Sequence, residues 1–171
     1  MKNVLLIVII ALIGCVLIML EGCGVINTKL NMPSRDTIES TLNANKEYFE
    51  IIAKFFIDSE YEWCSINEKL SSKIVTSTGE SIAPPIEVKN AVSRLNSIGC
   101  KIIEMDKVDN SIVFELWSSY QDISCGVLYQ LYDYSEPKTE YITELVALEK
   151  ENERWFYYVS DYNTYRATSA D

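Results

Sequence analysis

The first part of the chain is an unbroken apolar run. It extends from Val4 to Leu20, and Lys2 is the cationic side chain that precedes it. A run this apolar does not suit a water-exposed surface, so we expect it to insert into a bilayer. As a helix, its roughly 17 residues would reach about 25 Å, slightly less than the ~30 Å hydrocarbon core. Because Glu21 follows and the remainder is net acidic, the positive-inside rule puts the amino terminus in the cytoplasm and the rest outside.

Two later segments repeat their hydrophobic residues at helical spacing. The first predicts a helix over 36–58, with apolar positions at Ile38, Leu42, Phe49, Ile52 and Phe56. Asp36 followed by Glu39 resembles a capping box, and Ser34 is a competing N-cap. The second predicts a helix through Val88, Ala91, Val92, Leu95 and Ile98. Gly99 follows it, where a left-handed C-cap belongs.

After Gly99 the hydrophobic spacing changes from about 3.6 to about 2, which is typical of half-buried strands. Alternating residues flank Asp109-Asn110, so we expect a hairpin there. Further alternating segments occupy 125–131, 142–148 and 155–159, while a strand or a short helix fits 60–66 and a long loop fits 67–83. Because short connections place sequential strands side by side, we predict an antiparallel meander of four to five strands. With the two helices on its apolar face, this is an α+β fold preceded by an N-terminal hydrophobic anchor segment.

These patterns divide the 171 residues into four parts. Residues 1–23 form the signal, lipid-anchor or membrane segment, and residues 24–35 form a polar tether. Residues 36–165 form a single α+β domain, which is long enough for one hydrophobic core. The tail, 166–171, is small and polar, so we expect it to fray.

Charge and composition narrow the classes of function. The formal net charge is −10, which argues against nucleic acid, whose phosphates would be repelled. The chain contains no histidine, which removes Ser-His-Asp and Cys-His catalysis and imidazole zinc sites. Carboxylates remain as catalytic candidates, and we expect these four to face solvent in or beside the sheet: Glu115, Asp122, Glu144 and Glu149. We therefore predict no enzyme, no cofactor and no metal site.

The cysteines of the predicted domain are Cys64, Cys100 and Cys125. They are widely spaced and form no C-x-x-C pair, so they indicate neither a disulfide framework nor a metal cluster. Three buried free thiols are the favoured interpretation, and a disulfide between Cys100 and Cys125 is the alternative.

Two short segments at the apolar run end in a cysteine preceded by a glycine. They are Leu20-Glu21-Gly22-Cys23 and Leu12-Ile13-Gly14-Cys15. Both resemble the lipobox of bacterial lipoprotein precursors. The resemblance implies that the cysteine sulfur receives a diacylglyceryl group and that cleavage leaves this cysteine at the amino terminus. Cys23 is the favoured attachment site, Cys15 is the alternative, and an uncleaved single-pass helix is the third outcome.

Aromatic residues crowd the last strands. Successive strand residues point to opposite faces, so Trp155 and Tyr157 share one face while Phe156 and Tyr158 share the other. Because Arg154 and Ser160 flank the second set, we predict that Trp155 is in the core and Tyr158 faces outward. An outward aromatic platform would consist of Tyr158, Phe156 and Tyr132. The alternative is a set of ordinary cross-strand aromatic pairs.

The sequence thus favours a membrane-anchored extracytoplasmic bacterial lipoprotein that acts as a binding or interaction module. Its expected partners are membrane lipid, through the anchor, and a protein or glycan ligand. An accessory subunit of a membrane or cell-wall assembly is the second interpretation. A small carboxylate-dependent hydrolase is the third, since glycosidase chemistry requires two carboxylates about 5–10 Å apart.

Overall fold

The computed structural model describes residues 31–67, 73–119, 122–133, 137, 141–148 and 154–163. The chain divides into two compact units, Met1–Asn31 and Met32–Asp171, and every element below belongs to the second. The predicted anchor with Cys15 and Cys23 lies outside the described residues. In the part of the chain that is described, no helix has the length and apolar character needed to cross a membrane.

The described residues form two helices and eight strands. The helices are α1 (Arg35–Asp58) and α2 (Ile86–Ser97). The strands are β1 (Trp63–Asn67), β2 (Ile74–Thr76), β3 (Ser81–Ile82), β4 (Ile102–Asp106), β5 (Ser111–Ser118), β6 (Ile123–Gln130), β7 (Ile142–Ala147) and β8 (Trp155–Asp161). The α+β prediction is confirmed, but the sheet has eight strands where four to five were predicted.

Local hydrogen bonds and backbone conformation define the start of α1 and the end of α2. Ser34, in an extended conformation, accepts a hydrogen bond from the Thr37 amide at 3.3 Å and is the N-cap of α1. The capping box with Asp36 in the cap position is therefore wrong, because Asp36 already lies inside the first turn. Helix α2 ends before Gly99, whose φ of +100° confirms the predicted left-handed residue.

Two of the unpredicted strands lie in the segment that was expected to be a long loop. Strands β2 and β3 are three and two residues long, and a tight turn joins them. In that turn the Gly79 amide donates to the Thr76 carbonyl at 2.9 Å, and Gly79 has a φ of +79°. Strands this short have too few alternating positions to be recognised from the hydrophobic pattern.

All neighbouring strands are antiparallel, in the order β3-β2-β1-β4-β5-β6-β8-β7. The predicted hairpin at Asp109-Asn110 is confirmed as β4–β5, with Asn110 at a φ of +57°. The simple meander is wrong at its end, because β8 lies between β6 and β7. Strands β6 and β7 therefore run parallel to each other.

One face of the sheet and the two helices enclose the main hydrophobic core. Trp155 is 2% exposed and belongs to this core, as predicted. Its ring lies 4.6 Å from that of Tyr129 and 6.0 Å from that of Phe49 on α1, measured between centroids. Edge and tilted contacts of this kind add to the burial of apolar surface that holds α1 on the sheet.

The prediction that Tyr158 faces solvent is wrong, since its side chain is only 2% exposed. The alternation itself holds: Tyr157 is part of the helix-side core, whereas Tyr158 is buried outside that cluster. Its partner across the β6–β8 pair is Gly126. Six consecutive residues of β6 are buried, so the central sheet is covered on both faces.

Candidate functional site

The three residues of the predicted aromatic platform do not form one exposed surface. Tyr158 is buried, and Phe156 on the same strand is half-buried. Tyr132 is half-buried beyond the end of β6 and packs against the helix-side core. The Asn110 side chain holds it there, accepting from the Tyr132 amide at 2.7 Å and donating to its carbonyl at 2.9 Å. A cross-strand aromatic pair of the kind given as the alternative does occur, since Tyr129 and Trp155 are partners across β6 and β8 with ring centroids 4.6 Å apart.

The acidic residues named from the sequence do not converge on a cleft. Asp122 and Glu144 are exposed, Glu115 is half-buried, and Glu149 lies outside the described residues. A different carboxyl group is more shielded: Glu104 accepts a hydrogen bond from the Trp63 indole at 3.1 Å, and burial raises its pKa. Within the described ranges, no three acidic or cysteine side chains are arranged to hold a metal ion.

Cys64, Cys100 and Cys125 are all buried free thiols, which agrees with the favoured interpretation. Burial raises the pKa of Cys64 and of Cys125 to about 12. Both groups are therefore neutral near pH 7, and a neutral thiol is a poor nucleophile. These side chains fill the core.

The most unusual polar residue is Asn45, in the middle of α1. Asn45 is 5% exposed and lies on the buried stripe of the helix between Leu42 and Phe49. Its backbone, at φ −131° and ψ 18°, is not helical, so α1 is kinked at this point. A polar side chain on the apolar stripe needs a physical reason, because burying an amide without a partner is costly.

The hydrogen-bond donors near the kink turn back toward the helix itself. The Asn45 Nδ2 group donates to the Thr41 carbonyl at 2.9 Å, and the Thr41 hydroxyl donates to the Thr37 carbonyl at 2.8 Å. Side chains that bond to carbonyls four residues earlier compete with the backbone ladder and bend helices. This arrangement accounts for the position of the kink.

The other end of the same amide has no partner. Asn45 Oδ1 is buried and accepts no hydrogen bond. A buried acceptor left unsatisfied costs about 1–3 kcal/mol. Such groups are rare in folded proteins, and an explanation is required for each one.

An open groove of about 530 Å³ lies beside the kink, and we call it the kink groove. Its described lining residues are Asp36, Thr37, Ser40, Thr41, Ala44, Asn45 and Ile98. Asp36 is the one charged side chain among them, and it is exposed. The groove follows one side of α1 from its first turn to the kink, with the end of α2 contributing Ile98.

A gap in the apolar stripe of α1 could have identified Asn45 from the sequence. The apolar stripe of α1 is regular except for the step from Leu42 to Phe49, which spans two turns without an apolar residue on the stripe. Asn45 occupies the missing position. A gap in an otherwise regular stripe, filled by an amide, is the feature by which such a residue is recognised.

A second cavity, of about 350 Å³, lies between the end of α1 and strands β2 and β3. Phe55, Tyr61, Ile74 and Ile82 are among its lining residues. It is a mainly apolar recess, and neither of the two buried polar atoms without a partner, on Asn45 and Tyr158, belongs to its described lining.

Comparison of the chain with protein-family models, with curated proteins and with solved structures finds no match.

Proposed function

We propose that this protein is a binding module held at the outer face of a bacterial membrane, and that it takes a small polar ligand in the kink groove. One observation carries the binding proposal: Asn45 Oδ1 is buried without a hydrogen-bond partner in a residue that lines an open groove. A leucine of similar size at this position would avoid the unpaired acceptor. An amide at this position is explained if a ligand donates a hydrogen bond to its Oδ1 atom.

Attachment to the membrane rests on the sequence of the first 23 residues. The apolar run and the lipobox-like Leu20-Glu21-Gly22-Cys23 support lipid attachment at Cys23, with Cys15 as the alternative. Two or more acyl chains hold a protein firmly on a bilayer, at about 0.8 kcal/mol per buried CH₂ group. The domain would then meet its ligand outside the cytoplasm.

We propose binding without catalysis. The described groups that line the groove are an amide, three hydroxyls and one exposed carboxylate. Hydrolysis by carboxylates calls for a second acid beside the first, with one pKa raised. An accessory-subunit role drew its support from an outward-facing Tyr158, and the burial of that residue removes the support.

The binding proposal is tested on the full chain in detergent micelles. The melting temperature is measured with and without a protein-free small-molecule extract of the host, for the wild type and for Asn45→Leu. Because a ligand that binds only the folded state stabilises it, the extract should raise the melting temperature of the wild type and leave that of Asn45→Leu unchanged. An equal effect, or no effect, on both proteins contradicts the proposal.

The anchor is tested by metabolic labelling with a radioactive fatty acid in the native host. We expect label in the wild type and in Cys15→Ala, and none in Cys23→Ala. Label that disappears only in Cys15→Ala moves the attachment site to Cys15. A wild type without label contradicts lipid attachment.

A further inference from the structure

We infer that the kink groove selects an elongated aliphatic polyamine. This inference rests on the proposed function and adds the chemical class of the ligand to it. It follows from three features of the groove: which hydrogen-bonding groups are already used, how the remaining ones are spaced, and what charge they carry.

The donors along this side of α1 are already engaged. Asn45 Nδ2 donates to the Thr41 carbonyl, and the Thr41 hydroxyl donates to the Thr37 carbonyl. The Thr37 hydroxyl lies 2.9 Å from that of Ser34, so one of these two hydroxyls donates to the other. The groove therefore has few donors to offer a ligand.

Besides the exposed Ser40 hydroxyl, the lining groups with unused hydrogen-bonding capacity are acceptors. They are the Asn45 Oδ1 atom, the lone pairs of the Thr41 hydroxyl oxygen and the Asp36 carboxylate. An ammonium group is the matching partner, because it presents only donors and has no acceptor to satisfy. Hydrogen bonds from a charged donor are also stronger than neutral ones.

The spacing of these acceptors indicates more than one ammonium group. At about 1.5 Å per helical residue, Thr41 lies about 6 Å from Asn45 and about 7.5 Å from Asp36 along the axis of α1. A single ammonium group cannot reach both ends of this row. A chain of amines separated by three or four methylene groups can place a charge near each acceptor.

Charge excludes the main competing ligand classes. Asp36 is the charged residue of the described lining, and the protein carries a formal net charge of −10, so a carboxylate or phosphate ligand would be repelled. A sugar brings acceptors of its own, and the described lining has few free donors and no aromatic ring for stacking.

The experiment is an NMR titration of the full, isotope-labelled chain in detergent micelles with spermidine. Octane-1,8-diol, a neutral chain of similar length, is titrated in parallel. A salt concentration of about 0.15 M screens non-specific attraction to the acidic surface. We expect saturable shifts of the Thr41, Ala44 and Asn45 amide signals with spermidine, and none with the diol.

Four substitutions test which residues contribute to spermidine binding. Asn45→Leu should weaken spermidine binding about 10-fold or more, because it removes a buried acceptor for a charged donor. Asp36→Asn should weaken it about 2- to 5-fold, as expected for an exposed charge. Asp58→Asn is the matched control: it is an exposed aspartate at the other end of α1, and its affinity should equal that of the wild type. Ser40→Trp places a large ring on an exposed lining position and should abolish binding without disturbing the core.

The outcomes separate the ligand class from the proposed function. Equal shifts with the diol overturn the polyamine inference and leave the groove as a binding site. Equal weakening by Asp36→Asn and Asp58→Asn overturns it too, since the attraction is then to the acidic surface in general. Absence of any spermidine shift at the groove also overturns the inference, while the extract experiment decides separately whether the groove binds another ligand.

Discussion

At the scale of single residues, two buried polar atoms within the described ranges have no hydrogen-bond partner, and they have different physical explanations. Asn45 lines the kink groove, and we propose that a ligand donates a hydrogen bond to its Oδ1 atom. The Tyr158 hydroxyl lies near Ser124, whose own hydroxyl is 2.7 Å from that of Ser160. Tyr158 is 2% exposed, so the unpaired hydroxyl is a small cost beside the burial of a large ring.

Two substitutions of Tyr158 distinguish the contribution of its ring to stability from that of its hydroxyl. Tyr158→Phe should be at least as stable as the wild type, because it removes only the unpartnered group. Tyr158→Ala should lower the free energy of unfolding by about 3–5 kcal/mol, the range expected for a buried aromatic residue. Trp155→Ala, on the helix-side face, provides the comparison and should cost a similar amount. Urea unfolding gives all three values, and a Tyr158→Ala cost below about 1 kcal/mol would mean that Tyr158 is exposed after all.

The buried thiols make stability depend on alkaline pH. Burial raises the folded-state pKa of Cys64 and of Cys125 to about 12, above the ordinary value. The unfolded chain therefore loses these protons first, and the free energy of unfolding falls as the pH rises through the window from about 9 to about 12. Urea unfolding at about pH 8 and about pH 10.5 should show this decrease. A Cys64→Ala, Cys125→Ala double variant should show a smaller decrease, and an identical one would contradict the assignment to these thiols.

At the scale of elements, local irregularities place the candidate site and shape the sheet. Helix α1 is kinked where Thr41 and Asn45 bond back to carbonyls of the preceding turn. The β5–β6 pair has a register shift between Glu115 and Trp117, and Gly126 lies opposite this bulge. A Cβ atom on Gly126 would overlap the Phe114 carbonyl oxygen, so the close approach of the two strands requires glycine.

Gly126→Ala should therefore be more destabilising than a typical glycine substitution. We expect it to cost about 2 kcal/mol or more, because strand β5 must move to admit the methyl group. Gly79→Ala is the control: Gly79 has a φ of +79° but no atom within 4 Å of an added Cβ. Its cost should be about 1 kcal/mol, from backbone strain alone. Thermal unfolding of both variants measures the difference, and a Gly126→Ala variant as stable as Gly79→Ala would contradict the close approach.

At the scale of the whole molecule, the sequence predicts what depends on neighbouring residues and fails where distant segments meet. The two helices, the β4–β5 hairpin and the core position of Trp155 follow from local spacing and turn chemistry. The insertion of β8 between β6 and β7 does not, because an alternating segment pairs equally well with either neighbour. The burial of Tyr158 depends on the same long-range arrangement. Asn45 was missed because hydrophobic periodicity reports apolar positions and gives no weight to the polar residue that interrupts them.

If Asn45 serves ligand binding, it should lower the stability of the domain in the absence of ligand. Equilibrium urea unfolding of the wild type, Asn45→Leu and Asn43→Leu tests this claim most directly, since Asn43 is an exposed residue of the same helix. We predict that Asn45→Leu raises the free energy of unfolding by about 1–3 kcal/mol, because it removes an unpaired buried acceptor and restores the apolar stripe. Asn43→Leu should stay within about 0.5 kcal/mol of the wild type. An Asn45→Leu variant less stable than the wild type would contradict the claim, because the amide would then serve the fold itself.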